Sequence, residues 1–358
     1  MRTSNVLATL AQLAGRQFAG PAALPAAVGA LRDAIGFDLA LFISTDSHAE
    51  ATDCQIVIGP DIRPVLHRYF SEYANTQETA YIASFREVLL STAPYDSSDL
   101  YGGRYQDSPL YHEVGRQAGC YHYLRWPIRD AGKPVGCLFL ARPPHGRPFS
   151  DKDKTFIRRA TPPLTHALLR RDWGNGEVDS LVDSGEEGYV ICDNKGAIQH
   201  LSGRARTLLH LASGMPASVA RLKDHTLTWA RPLLHQVAVR LADPPSASPP
   251  VCTVRNASGT YLLRAYRLSG VHPGVPEQVM VQISRHIPLA LKMLATPKMR
   301  TLPGRDQEIA ILLAAGHTSR EIADRLKITP NSVAYHVRSL FNRLDIGRRE
   351  DLLAALLG

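Results

Sequence analysis

The sequence predicts a multi-domain chain. It reads as an α/β unit over residues 1–172, an α+β unit over 178–285, a linker over 286–300 and an all-α, four-helix unit over 301–358. Three observations carry this. A length of 358 residues suits two or three domains. Alternating apolar and polar residues mark strands in two separate clusters, each broken by helical stretches. Beyond residue 300 only helical periodicity remains.

Composition narrows the function classes. Apolar residues make up 44% of the chain and the net charge is +8. Residues 298–358 hold ten Lys/Arg against seven Asp/Glu, so no unit is an extreme basic arm. The cysteines Cys54, Cys120, Cys137, Cys192 and Cys252 form no C-x-x-C, and five is an odd number. That argues against a disulfide framework and a cysteine-built zinc site, and a reducing cytoplasm is the expected location. No apolar run approaches the ~18 residues a membrane span requires, so no membrane partner is expected. The opening V-L-A-T-L-A-Q-L-A-G is interrupted by Gln12, Arg16 and Gln17, which disfavours a signal peptide. It reads better as an amphipathic helix with Val6, Leu7, Leu10, Leu13 and Ala14 on one side.

In the first unit, helices are expected at about 4–18 and 22–35, and strands at Leu39–Ser44 and Cys54–Ile58. Further helices follow at 61–74, 76–91 and 108–118. Strands at Tyr121–Arg129 and Val135–Ala141 flank a D-A-G-K turn, and a long helix starts at Ser150 and runs to about Arg171. Nine of the 13 tyrosines lie between 69 and 123, interleaved with histidines and Trp126. Tyrosine offers a ring to stack on and a hydroxyl to point, which suits a pocket for a small aromatic or amphipathic effector. The expected lining is Tyr69, Tyr73, Tyr101, Tyr105, Tyr111, His112, Tyr121, Tyr123 and Trp126, with Tyr95–Tyr105 as a loop over it. No H-x-x-x-H occurs, and alternation puts His122 on the face opposite Tyr121 and Tyr123, so no metal is expected. Helices first, a central antiparallel sheet, then G-R-P-F-S-D-K-D and a final helix resemble a GAF-type sensory domain.

Residues 173–178 read as a short linker. In the second unit, strands are expected at Gly188–Cys192 and Ala197–His200 around a D-N-K-G turn. Helical segments at Gly203–Leu211 and about Leu227–Ala242 come next, then a proline-rich loop at 243–250. Strands at Val251–Arg255, Tyr261–Leu268 and Gln278–Ser284 complete the unit. The opening G-Y-V-I-C-D-N-K-G-A-I-Q-H-L-S and this element order resemble a PAS domain. Cys192 and Cys252 fall in strands rather than in a helix, which disfavours a flavin adduct. His200, His210, His225 and His235 are lone histidines in amphipathic segments, a weak basis for heme, so no cofactor is expected.

Pro288, Pro297 and Pro303 break the linker into short pieces, as in a hinge. The helix from Gly304 to Ala315 carries Asp306 and Glu308 early and stops at Gly316. Thr318 and Glu321 form a T-x-x-E capping box, and Thr329-Pro330 starts the next helix. Val333, Val337, Leu340, Phe341 and Leu344 make one face of that helix, against polar residues on the other. The run L-P-G-R-D-Q-E-I, L-L-A-A-G, S-R-E-I-A-D-R-L and I-T-P-N-S-V-A-Y-H-V-R-S-L-F-N-R-L resembles the LuxR/FixJ-type helix-turn-helix domain. The resemblance implies that the helix about 330–343 enters the DNA major groove. It puts base contacts at Ala334, Tyr335 and Arg338, where Ala334 departs from the family's lysine. Thr318, Ser319, Arg320, Asn331, Ser332, Arg343, Arg348 and Arg349 are candidates for phosphate. His336 is expected to be structural, and Lys327 stands where the family often has glycine. The fourth helix, with Leu352, Leu353 and Leu356, is the dimer face in many relatives, which implies a homodimer on a pseudo-palindromic operator.

No G-x-S-x-G, Walker A loop or G-x-G-x-x-G is present, so catalysis is not expected. The expected function is a ligand-responsive bacterial transcription regulator, with RNA polymerase a possible further partner. The alternative is a sensory or protein-interaction module that binds DNA weakly or non-specifically, for which Ala334 is the best support.

Overall fold

The computed structural model describes all residues except 1, 17, 47, 98–103, 170–180, 216–226, 242–248 and 273–275. Two five-stranded antiparallel sheets organise the first 288 residues. The first contains β1 (Leu39–Thr45), β2 (Ala51–Ile58), β3 (Tyr95–Asp96), β4 (His122–Asp130) and β5 (Lys133–Arg142), in the order β2-β1-β5-β4-β3. The second contains β6 (Leu181–Cys192), β7 (Ile198–Leu201), β8 (Val251–Asn256), β9 (Gly259–Leu268) and β10 (Gln278–Pro288), in the order β7-β6-β10-β9-β8. Counted from each sheet's first strand, the two orders are the same.

The β4–β5 hairpin follows from its turn chemistry. Ala131 and Gly132 both take positive φ, 45° and 82°, the two-residue turn that matches strand twist. Alternation then sorts the strands. Tyr123, Cys137, Leu41 and Ile43 face one side of the first sheet, and Leu124, Trp126, Ile128, Leu138 and Leu140 face the other. On that second side lie α1 (Arg2–Gly15), α2 (Gly20–Ile35) and α6 (Asp151–Leu169). Arg142 ties this layer to the sheet. Its Nε donates to the Gly36 carbonyl at 2.7 Å, just past the end of α2, and its guanidinium lies 3.9 Å from the Phe149 ring centroid.

The tyrosine-bearing side is covered by short pieces rather than long helices. These are α3 (Arg63–Arg68), α4 (Phe85–Leu90), α5 (Arg104–Asp107) and two wide π-type turns over Tyr69–Tyr73 and Tyr111–Gly115. The single helix expected over 76–91 is divided. A tight turn at Gln77–Ala80 ends it, and Ser84 with Glu87 forms a capping box that restarts it as α4. The two-residue β3 has no periodicity to read. The second sheet packs α7 (Ala205–Ser213) and α8 (Arg231–Val239) on its apolar face around Val190, Leu263, Val281 and Ile283.

Residues 286–300, expected as a helical or mixed linker broken into a hinge, are largely buried. The prolines do divide the stretch, into α9 (Leu289–Leu294) and α10 (Pro297–Thr301). Leu291, Met293, Leu294 and Met299 are nevertheless buried, in one apolar cluster with α1, α2 and α6. The reason is visible in the sequence: H-I-P-L-A-L-K-M-L-A supplies more apolar surface than water tolerates, and burial of that surface outweighs the prolines. The same cluster continues into α11 (Gly304–Ala314), α12 (Ser319–Leu326), α13 (Pro330–Leu344) and α14 (Asp351–Leu357). Among the described residues, no helix is long and apolar enough to cross a membrane.

Candidate functional site

The four C-terminal helices are shaped by local chemistry. Gly316 takes φ 94° and closes α11, with the His317 amide donating to the Leu312 carbonyl at 3.1 Å. The Thr318 hydroxyl accepts from the Glu321 amide at 3.3 Å, and the Thr318 amide donates to Glu321 at 2.7 Å. The Thr318 amide, and after it the Thr318 hydroxyl at 2.9 Å, both donate to the Glu321 carboxylate and hold it below its ordinary range. Lys327 then takes the left-handed conformation, φ 53° and ψ 49°, and turns the chain toward α13. Thr329 caps α13, accepting from the Ser332 amide at 3.2 Å.

Val333 and Leu340 anchor α13 in the core, while Asn331, Ala334, Tyr335, Arg338, Asn342 and Arg343 are exposed. Tyr335 is 68% exposed, unusual for an aromatic ring, and Ala334 beside it leaves open space. Fifteen residues give α13 a length of about 22 Å, enough to cross the major groove. Thr318, Ser319, Arg320 and Arg348 are also exposed, and Ser332 is half-buried, bonded to Thr329. Two basic candidates have partners within the chain. Arg349 donates to the Leu313 carbonyl at 2.5 Å, and Arg343 lies 3.7 Å from Asp306. His336 bonds the buried Asp306 at 2.8 Å, on the side of α13 facing α11.

The expected dimer face is not free. Leu352 and Leu356 are 1% and 2% exposed, packed within the chain's own core, and Leu353 is half-buried against it. The short α14 is amphipathic, and α9, α11 and α13 cover its apolar side. In this conformation Leu352 and Leu356 are taken up by the chain's own core, and Leu353 is the one of the three that keeps part of its surface free.

The second candidate site is a cavity of about 70 Å³ between the first sheet and its covering turns. Tyr69, Tyr105 and Tyr123 line it, with Leu41, Ile43, Phe85, Val114, Cys137 and Phe139. The two π-type turns place Tyr69 at its start and Val114 and Gly115 at its wall. Gly115 is required there, because a Cβ would stand 2.2 Å from the Tyr105 hydroxyl. Tyr105 meets Tyr123 edge-on at 4.9 Å and Tyr111 at 5.4 Å.

The other expected residues divide. Tyr111 and Tyr121 form an outer aromatic layer, their rings 5.7 Å apart. Tyr73 is buried but does not line the cavity; its hydroxyl donates to Glu113 at 2.5 Å. His112 is exposed, and Tyr101 lies outside the described residues. Trp126 is on the wrong face: its indole donates to Thr161 of α6 at 3.1 Å. Strand alternation in Y-H-Y-L-R-W predicts this, because Trp126 shares parity with His122.

The same alternation points to two residues the tyrosine count overlooks. Arg125 shares the face of Tyr121 and Tyr123, lines the cavity and is 3% exposed. It faces Glu78, fully buried, at 3.6 Å. Glu78 accepts from the Tyr69 hydroxyl at 2.8 Å and from the Asn75 and Phe85 amides at 2.8 and 2.6 Å. The Arg125 guanidinium donates to the Ala83 carbonyl through Nη2. Nothing in the polar stretch around Glu78 signals its burial. Burial pushes the Tyr123 phenol up to about 12 and the Cys120 and Cys137 thiols likewise to about 12, so all three are neutral donors near pH 7. All five cysteines are free and buried. Among the described residues no group of three His, Cys, Asp or Glu could hold a metal ion.

Comparison with known proteins bears on the helical end. Residues 300–355 match the family model "Bacterial regulatory proteins, luxR family". No curated protein sequence matches the chain. Among solved structures, a phage VqmA–DPO complex is 16% identical, covering 48% of this chain and 82% of that one, with a TM-score of 0.19. The E. coli DhaR(N)–DhaL complex is 15% identical over 79% and 87%, with a TM-score of 0.26. The sensor region of a sensor histidine kinase is 16% identical over 70% and 85%, with a TM-score of 0.18. Scores of this size carry no argument about the fold. Residues 300–355, about a sixth of the chain, thus form a luxR-type helix-turn-helix domain, the kind of unit that binds DNA.

Proposed function

We propose that the chain is a ligand-responsive transcription regulator that reads operator DNA through α13, with its effector held in the cavity of the first sheet. One observation carries the reading. The outward face of α13 presents Tyr335 and Arg338 to solvent, while its other face is locked into a capped four-helix frame. Arg338 is the residue for guanine O6 and N7, and Tyr335 meets a base edge or a phosphate. Ala334 contributes at most a methyl contact to thymine. Ser319, Arg320, Asn331 and Arg348 set register on the backbone. Thr318 and Ser332, already engaged in caps, and Arg343 and Arg349, already partnered, are weaker candidates. The GAF-like and PAS-like readings of the two sheets fit a sensory role. The cavity and its tyrosines, rather than Trp126 or His112, are the support for an effector.

The test is fluorescence anisotropy on the DNA upstream of the protein's own coding sequence. Arg338→Ala is expected to weaken specific binding by about 1–3 kcal/mol, roughly 5- to 150-fold, and to leave non-specific DNA almost unaffected. Arg320→Ala should weaken all sequences alike and reduce the salt slope by about one. Equal, weak binding of wild type and Arg338→Ala to every sequence would instead favour an interaction module without specific DNA recognition. Ala334 is the feature that favours that second reading.

A further inference from the structure

We infer that the cavity of the first sheet binds a compact, neutral carbonyl compound (a short ketone, ester or amide) whose oxygen accepts from Arg125. The inference rests on the reading of this unit as the effector site. Arg125 is almost completely buried, yet its Nε has no hydrogen-bond partner among the described residues and its Nη1 reaches only the Glu78 carboxylate, at 3.6 Å. A buried guanidinium with an unused Nε–H carries a desolvation cost, and a cavity opens beside it. The missing partner is an acceptor.

Three features define that acceptor's owner. The first is charge. Glu78 already balances Arg125 at 3.6 Å, with its own oxygens occupied by Tyr69 and two backbone amides. A carboxylate ligand would leave a net negative charge in a dry site, whereas a carbonyl dipole would not. The second is lining. Apart from Arg125, the phenols and the weakly polar thiols of Cys120 and Cys137, the wall is aliphatic or aromatic, so the remainder of the molecule is apolar. The third is size. About 70 Å³ is well below the ~150 Å³ of a cavity that takes up benzene, so the occupant is no larger than such a ring. Arg142, by contrast, has its fork filled by the carbonyls of Gly36, Arg147 and Pro148.

The test uses the full chain, labelled at arginine, with 2-butanone as probe. Controls are propanoate, its anionic counterpart, and 2-methyl-1-butene, in which a methylene replaces the carbonyl oxygen. Butanone at tens of millimolar is expected to shift the Arg125 Nε–H resonance, with propanoate and the alkene binding at least tenfold more weakly. Arg125→Gln removes the donors but leaves Glu78 unpaired and so risks misfolding. Ala118→Phe therefore fills the cavity with the Arg125–Glu78 pair intact, and should weaken butanone binding at least tenfold while leaving Arg338-dependent DNA binding in place. Propanoate binding as tightly as butanone, butanone binding unaffected by Ala118→Phe, or no response to butanone would each overturn the inference. Any of these with Arg338-dependent DNA binding intact leaves the regulator reading standing. Butanone binding in a protein without sequence-specific DNA binding would support the cavity assignment and remove the regulator.

Discussion

Lys327 joins the two central helices of the reader in a conformation that glycine adopts without strain. For an L-residue the left-handed backbone costs about 1–2 kcal/mol, part of which glycine returns as extra freedom in the unfolded chain. Lys327→Gly is therefore expected to stabilise the helical unit by up to about 1 kcal/mol, seen as a higher urea midpoint with an unchanged slope. At this scale, the caps at Thr318 and Thr329 and the structural place of His336 are legible, because each depends on near neighbours or on the parity of one helix. Arg125 was within reach of the same reasoning: residues 121, 123 and 125 share a strand face. Counting aromatics instead of following that parity brings in Trp126 and leaves out the arginine. Glu78 was not within reach, since its burial depends on amides at 75 and 85 that only the folded turns bring together.

Elements are legible where a period runs long enough. The strands of both sheets and the long α6 repeat their patterns over many residues; β3 and the π-type turns do not. The start of α6 shows an element held by charges rather than by period. Asp153 is buried and accepts from Arg147 at 2.8 and 3.0 Å, from the Ser150 amide at 3.0 Å and from Arg142 at 3.4 Å. Burial alone would raise its carboxyl, but these donors outweigh burial and hold it below the ordinary 3.8. The folded value lies under the unfolded one, so the stabilisation is complete above about pH 4 and is lost as pH falls through the folded value. Asp153→Ala leaves Arg142 buried without its counter-charge. The expected loss is about 3 kcal/mol near neutral pH, with a shallower acid limb in a urea titration against pH. The short linker helices teach the opposite lesson. Their prolines are real breaks, but breaks in the helix and not in the packing.

At the scale of the whole molecule, the reader is docked rather than tethered. Thr9 of α1 donates to Gln307 at 3.3 Å, Gln12 to Glu308 at 2.9 Å and Asn5 to the Thr301 carbonyl at 2.7 Å. Arg300 reaches back to Asp33 of α2 at 2.6 Å. Gly304 permits the close approach, since a Cβ there would stand 2.8 Å from the Ala8 Cβ. Gly304→Leu is expected to lift the reader from α1, increasing proteolytic cleavage between residues 295 and 304 about tenfold at unchanged DNA affinity, because α13 is already exposed. Limited proteolysis and anisotropy on the same sample check both halves. None of this docking is legible locally: periodicity shows that α1 has an apolar side, but not which partner will cover it. The partner lies some 300 positions away, and that spacing has a consequence for biosynthesis. At about 5–20 residues per second, a ribosome makes α1 roughly 15–60 seconds before it makes α11. During that interval Asn5, Thr9 and Gln12, the polar groups of α1 that will receive the reader, have no mate on the nascent chain and stay bonded to water.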